Sequence, residues 1–123
     1  HLGGGAGQVG CPSSALSLAT ACWALITSSR EEVELPPVLH WCDGGAASWY
    51  DVSVAVGELA MDLGLLKRAA RVNSISTADY PTPATRPSYS LLDCQASRQV
   101  LQLEAQSWRA ALKDVLQAIP TNP

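Results

Sequence analysis

A small, helix-rich α+β domain with two or three short strands is the fold class this sequence predicts, and three observations predict it. Four stretches carry helical spacing beside recognisable caps or stops. Only two stretches read as strands, and both are too short to build a large sheet. A proline-studded segment between them and the C-terminal helices has to be loop.

The first helix is expected after Pro12, with Ser13 or Ser14 as N-cap, and runs to about Ser29. Leu18, Cys22, Leu25 and Ile26 recur at helical spacing and much of the remaining surface is alanine, which predicts a helix covered on most sides. Arg30 to Pro37 is a charged connection ending in prolines, and Glu31, Glu32 and Glu34 read as a solvated charge cluster. Val38 to Cys42 then reads as a short strand, closed by the Asp43-Gly44-Gly45 turn.

Ser48 caps the second helix, with Asp51 three residues on as a capping box. Val52, Ala55, Val56, Leu59 and Leu63 mark its buried face, and Gly64 is its stop. Arg71 to Thr77 is the second candidate strand. Asp79 to Ser90 contains Pro81, Pro83 and Pro87, each of which also restricts the residue before it, so the segment is an extended, stiff loop. A short helix follows Asp93. A final one starts at Ser107 with the stripe Trp108, Ala111, Leu112, Val115 and Ile119, and Pro120 ends it.

The 123 residues divide into a flexible glycine-rich N-terminus (1–7), one domain (8–120) and a short tail (121–123). Hydrophobic residues make up 47%, enough for a core, but there is no Phe, so Trp23, Trp41, Trp49 and Trp108 supply most of the aromatic bulk. The net charge of −3 and the scattered basic residues leave no footprint for nucleic acid. The longest apolar run, Ala15 to Thr27, falls short of the roughly 20 residues that span a bilayer. No secretory signal is visible, which makes the cytoplasm the expected compartment. Cys11, Cys22, Cys42 and Cys94 form no CxxC pair, so buried free thiols are expected rather than a zinc site.

Gly5-Ala6-Gly7-Gln8-Val9-Gly10 satisfies GxGxxG, but that pattern binds a dinucleotide only between a strand and a helix N-terminus. Only His1 to Gly4 precede it, and Cys11-Pro12 interrupts the turn, so a linker is the expected reading and no complete Rossmann sheet is expected. His40, between apolar residues on a short strand, reads as packed rather than catalytic. No YxxxK pair exists: Tyr50, Tyr80 and Tyr89 are followed four residues later by Val54, Ala84 and Asp93. Arg86, held between Pro83 and Pro87, presents a planar guanidinium on a stiff loop. That suits bidentate phosphate recognition, the alternative being an ordinary surface arginine or an ion pair.

Three ordered segments resemble the dTDP-4-dehydrorhamnose reductases, a family of extended short-chain dehydrogenase/reductases. Gln8-Val9-Gly10-Cys11-Pro12-Ser13-Ser14 is similar to the family's DQxGxPT entry into a helix. Leu39 to Gly45 with Ser48-Trp49-Tyr50-Asp51 is similar to its YHLxGxG…SWYDFA stretch. Tyr80 to Pro87 with Ser90, Leu92-Asp93 and Trp108 to Leu112 is similar to PTPAxRPxxSxLD…WRxAL. The resemblance covers only the C-terminal, substrate-side portion. It implies a dTDP-sugar-facing surface with Arg86 on the phosphates, Ser90 beside it, and Gln8, Pro12 and Ser13 at the cleft. Trp49 and Trp108 match the motifs but are expected to pack. The family's cofactor, NADPH, and its Tyr/Lys pair belong to an N-terminal Rossmann domain that this chain does not resemble. No cofactor is therefore expected on the chain and no catalytic residue is assigned. The implied partners are that domain, missing or separate, or a second copy of the chain. Gly7 departs from the family, which usually has Asp before the Gln.

Overall fold

A computed structural model describes residues 2–31 and 34–120. In chain order the elements are β1 (Leu2–Gly5), β2 (Val9–Gly10), α1 (Ala15–Arg30), β3 (Ala47–Ser48), α2 (Trp49–Asp62), β4 (Val72–Ile75), a 3₁₀ turn (Thr77–Asp79), α3 (Gln95–Leu101) and α4 (Trp108–Gln117). The strands form two separate two-stranded sheets. β1 pairs parallel with β4, Leu2 opposite Val72 and Gly5 opposite Ile75, while β2 pairs antiparallel with β3, Val9 opposite Ser48. The fold is the expected small α+β class without a full Rossmann sheet.

The caps act as their residue types require. Ser14 accepts the N–H of Ser17 at the start of α1 and Ser107 accepts that of Ala110 at the start of α4. Ser48 and Asp51 form the reciprocal capping box of α2, the hydroxyl accepting from Asp51 N and the carboxylate from Ser48 N. Gly64, at φ +74°, takes the left-handed conformation just beyond α2 at low steric cost. α2 is the organising element: it packs against β1, β3, β4 and α4, and buries Ala55, Leu59 and Ala60.

Several expectations are corrected. Residues 2–5, expected within a flexible N-terminus, form β1. Gly4 serves close packing: a side chain there would meet the Cα of Tyr50 at 2.8 Å, so only glycine lets β1 lie flush on α2. Val38 to Cys42 joins no sheet. Among the described residues no strand pairs with it, and pairing begins only at Gly44, which donates to Gln106 O and accepts from Trp108 N. His40 is exposed rather than packed.

α1 is not covered on most sides, since Ala21 alone is buried while Leu16, Leu18, Trp23 and Ile26 are exposed. The core is accordingly built from small residues, Ala21, Ala47, Ala55, Ala60 and Ala111, around Leu59, Leu101 and Leu116. Tryptophan does not fill it: Trp23 and Trp49 are exposed, and Trp41 and Trp108 are half-buried. Nor does the α4 stripe go fully inside, because Val115 and Ile119 remain exposed. Of the cysteines, all free, Cys42 and Cys94 are buried but Cys22 is exposed. Glu32 of the expected charge cluster and the expected tail 121–123 lie outside the described residues; Glu31 and Glu34 are exposed. No helix among the described residues is long and apolar enough to cross a membrane.

Candidate functional site

The candidate site is an open cleft of about 670 Å³ where three chain segments meet. The first is β2 with its flanks, supplying Gln8, Val9, Gly10, Cys11 and Pro12. The second is the β3–α2 junction, supplying Ala47, Ser48, Trp49 and Val52. The third is the proline loop, supplying Arg86, Pro87 and Ser90. Of the residues singled out in the sequence, Gln8, Pro12, Arg86 and Ser90 share this wall.

Ser13 lies elsewhere. Its hydroxyl accepts the backbone N–H of Asp43 at 2.9 Å and donates to the carbonyl of Cys11 at 3.2 Å, so it ties the entrance of α1 to the Asp43 turn.

The loop is placed by backbone pairing across 81 residues of sequence. Val9 N donates to Ser88 O at 2.8 Å and Ser90 N donates to Val9 O at 2.9 Å, stitching the far end of the loop to β2. The prolines then hold the intervening turn, and Thr82 Oγ1 donates to Ala84 O within it. Arg86 is thereby delivered beside Gln8 without a carboxylate of its own. Among the described residues the ion pair is Arg109–Glu58, and Arg86 has none. Arg86 is also the sole charged side chain in the cleft wall, which leaves its guanidinium open to an anion.

A second hollow of about 360 Å³ adjoins the first and shares Gln8, Trp49 and Arg86 with it. It is walled by the β1 glycines, Ser53, Ile75, the 3₁₀ turn, Tyr80 and Thr82. Two linked hollows divided by an arginine can hold an elongated ligand with an anionic centre. Trp49, expected to pack, is instead exposed and lines both. Helix geometry explains this. Trp49 opens α2 on the stripe it shares with Ser53, roughly 80–120° around the helix from the buried Leu59 and Ala55. The off-stripe placement of Trp49 relative to Ala55 and Leu59 was the available sequence signal.

The glycine pattern at residues 5–10 does not have dinucleotide-binding geometry. A strand does precede it, contrary to expectation, but Gly10 is itself paired in β2 with Ala47, and α1 begins only at Ala15. Among the described residues no group of three or more His, Cys, Asp or Glu side chains is placed to hold a metal.

Comparison with known proteins gives a single direction. The model of the RmlD substrate binding domain family matches residues 5–120. A dTDP-4-dehydrorhamnose reductase from Shigella flexneri is 30% identical over 114 residues, 93% of this chain and 38% of that protein. One from Mycolicibacterium smegmatis is 32% identical over 114 residues, 93% of this chain and 32% of that protein. The crystal structure of the Clostridium acetobutylicum enzyme superposes with a TM-score of 0.76 at 28% identity, covering 94% of this chain and 39% of its own. This chain thus spans well under half the length of each of these relatives.

Proposed function

We propose, from the premise that the chain belongs to the RmlD substrate binding domain family, that its cleft receives the dTDP-sugar of a dTDP-4-dehydrorhamnose reductase. The observation that carries this is Arg86: unpaired among the described residues, fixed by proline and backbone pairing, and the one charge in two adjoining hollows. In this reading its guanidinium binds the diphosphate, with Gln8 and Ser90 as polar neighbours and Pro12 shaping the wall. Trp49 offers an apolar face to a ring of the ligand.

The chain alone does not carry out the reduction. It has no YxxxK pair, and its glycine pattern does not open a helix, so its own residues supply neither the proton relay nor the nicotinamide site. NADPH, in this reading, is held by a Rossmann portion that acts with this one. The cytoplasm is the compartment such a biosynthetic step implies. Titration of the chain with dTDP, followed by tryptophan fluorescence, tests the reading. Saturable quenching is expected, together with no oxidation of NADPH when dTDP-4-dehydrorhamnose is added. A flat titration at millimolar dTDP would overturn the binding assignment.

A second reading is favoured by one observation. α1 turns Leu16, Trp23 and Ile26 to solvent on one side, an apolar surface of the kind that mediates association. A self-associating binding module derived from the same domain accounts for that face.

A further inference from the structure

Cys42 and Cys94 are 52 residues apart in sequence, yet their Sγ atoms lie 3.3 Å from each other. Both are buried, at 4% and 2% exposure. Cys42 directly precedes the Asp43 turn, and Cys94 is the N-cap residue of α3. A third thiol, Cys11, donates to the backbone carbonyl of Asp43 and also lies within reach of Cys42. Cys42 and Cys94 also line an open hollow of about 800 Å³, together with Gly45, Tyr89, Leu92, Asp93 and Arg98. Burial pushes both thiols above their usual value of 9.0, and the Arg98 guanidinium in that wall offsets this only in part, so a minor thiolate fraction carries the exchange.

We propose that Cys42 and Cys94 are a reversible disulfide site, closed by low-molecular-weight disulfides of the glutathione class. The bond requires the sulfurs to close by about 1.3 Å, a side-chain adjustment. One protein thiolate attacks the reagent's S–S bond, forming a mixed disulfide and expelling one small thiolate. The second protein thiolate then attacks the protein sulfur of that mixed disulfide, forming Cys42–Cys94 and expelling the other small thiolate. The two protein thiols are oxidised, one reagent disulfide is reduced to two thiols, and the two thiol protons pass to the leaving thiolates.

The bond would tie together two walls of the candidate cleft. Ala47 follows Cys42 on one strand of chain and Ser90 precedes Cys94 on the other, and both residues line that cleft. It also closes a long loop, the case in which cross-linking restricts the unfolded chain most.

The test is incubation of the full chain with oxidised glutathione, then alkylation, proteolysis and peptide mapping, with a parallel melting curve. A cross-linked Cys42–Cys94 peptide is expected, with a rise in Tm of about 5 °C or more that dithiothreitol reverses. Recovery of both residues fully alkylated, or a cross-link mapped to any other pair, overturns the proposal. Cys94→Ala should abolish the glutathione-dependent shift in Tm, and a shift that persists in that variant also overturns it. If Cys94→Ala does not fold, mapping of the unsubstituted chain decides.

Discussion

The Asp43 carboxylate accepts the backbone N–H of Ser14 at 2.9 Å, joining the glycine turn to the N-terminus of α1 across 29 residues of sequence. Asp43 is 1% exposed, and its backbone N–H is taken up in turn by the Ser13 hydroxyl. A buried carboxylate at a helix N-terminus satisfies an orphan donor and faces the positive end of the helix dipole. Its other oxygen, Oδ1, has no partner, so the contact is held by one strong bond. Asp43→Ala is expected to lower stability by about 1–3 kcal/mol, because Ser14 N–H is left without an acceptor inside the fold. Asp43→Asn keeps an acceptor and should lose less. Urea unfolding of the two variants checks the order, and equal losses would contradict it.

Removal of the guanidinium should be felt in binding and not in folding, since Arg86 is exposed and makes no ion pair among the described residues. Arg86→Ala should weaken dTDP affinity about 10- to 100-fold, the worth of a charge-assisted contact. Arg86→Lys should recover only part of it, because an ammonium cannot reproduce the bidentate fork. Calorimetric titration measures both, with the melting temperature as the control for folding.

Asp79 closes the 3₁₀ turn beside Tyr80 and Thr82 of the second hollow. The Ser76 backbone N–H at 2.9 Å and then its hydroxyl at 2.8 Å, both donating to Oδ2, hold the carboxyl below its usual value of 3.8. A depressed carboxyl contributes stability that is present above the unfolded value and is lost as pH falls through the folded one. The turn should therefore survive mild acid and loosen only below the ordinary aspartate range. Carboxyl NMR titration should place the Asp79 midpoint below 3.8, and Ser76→Ala, which removes the hydroxyl donor, should raise it.

Exposed Trp23 lies on the opposite side of α1 from the buried Ala21, so charge can be placed there without disturbing the core. Trp23→Glu should leave the melting temperature within about 2 °C, as exposed substitutions generally do. If this face mediates association, the same change should shift the chain toward monomer in light scattering. A large loss of stability would show that Trp23 packs more closely than its 66% exposure implies.

Much of the local structure was legible in the residues themselves. Ser14, Ser48 and Ser107 mark helix starts because a short hydroxyl satisfies an orphan N–H wherever it occurs, and Gly64 marks a stop because a left-handed residue is needed there. The prolines around Arg86 marked a stiff loop for the same local reason. The three motif segments carry the resemblance to the family, and that resemblance is what singles out Arg86 for the phosphates. Sequence by itself therefore determined the helices, the loop and the arginine.

Tertiary structure alone decided which residues meet. The pairing of Val9 with Ser88 and Ser90 brings Gln8 and Arg86 into one wall, and no local pattern encodes an 81-residue contact. The glycines of residues 2–5 looked flexible because a glycine run is locally permissive. They form a strand because β4 pairs with them, and α2 leaves room only for glycine at Gly4. Trp49 reads as packing because it begins a helix, and it lines the cleft because the buried stripe of α2 runs through Ala55 and Leu59 instead. Caps and turns depend on neighbours within a few residues. Burial, strand pairing and the shape of the cleft depend on partners far along the chain, and folding supplies those.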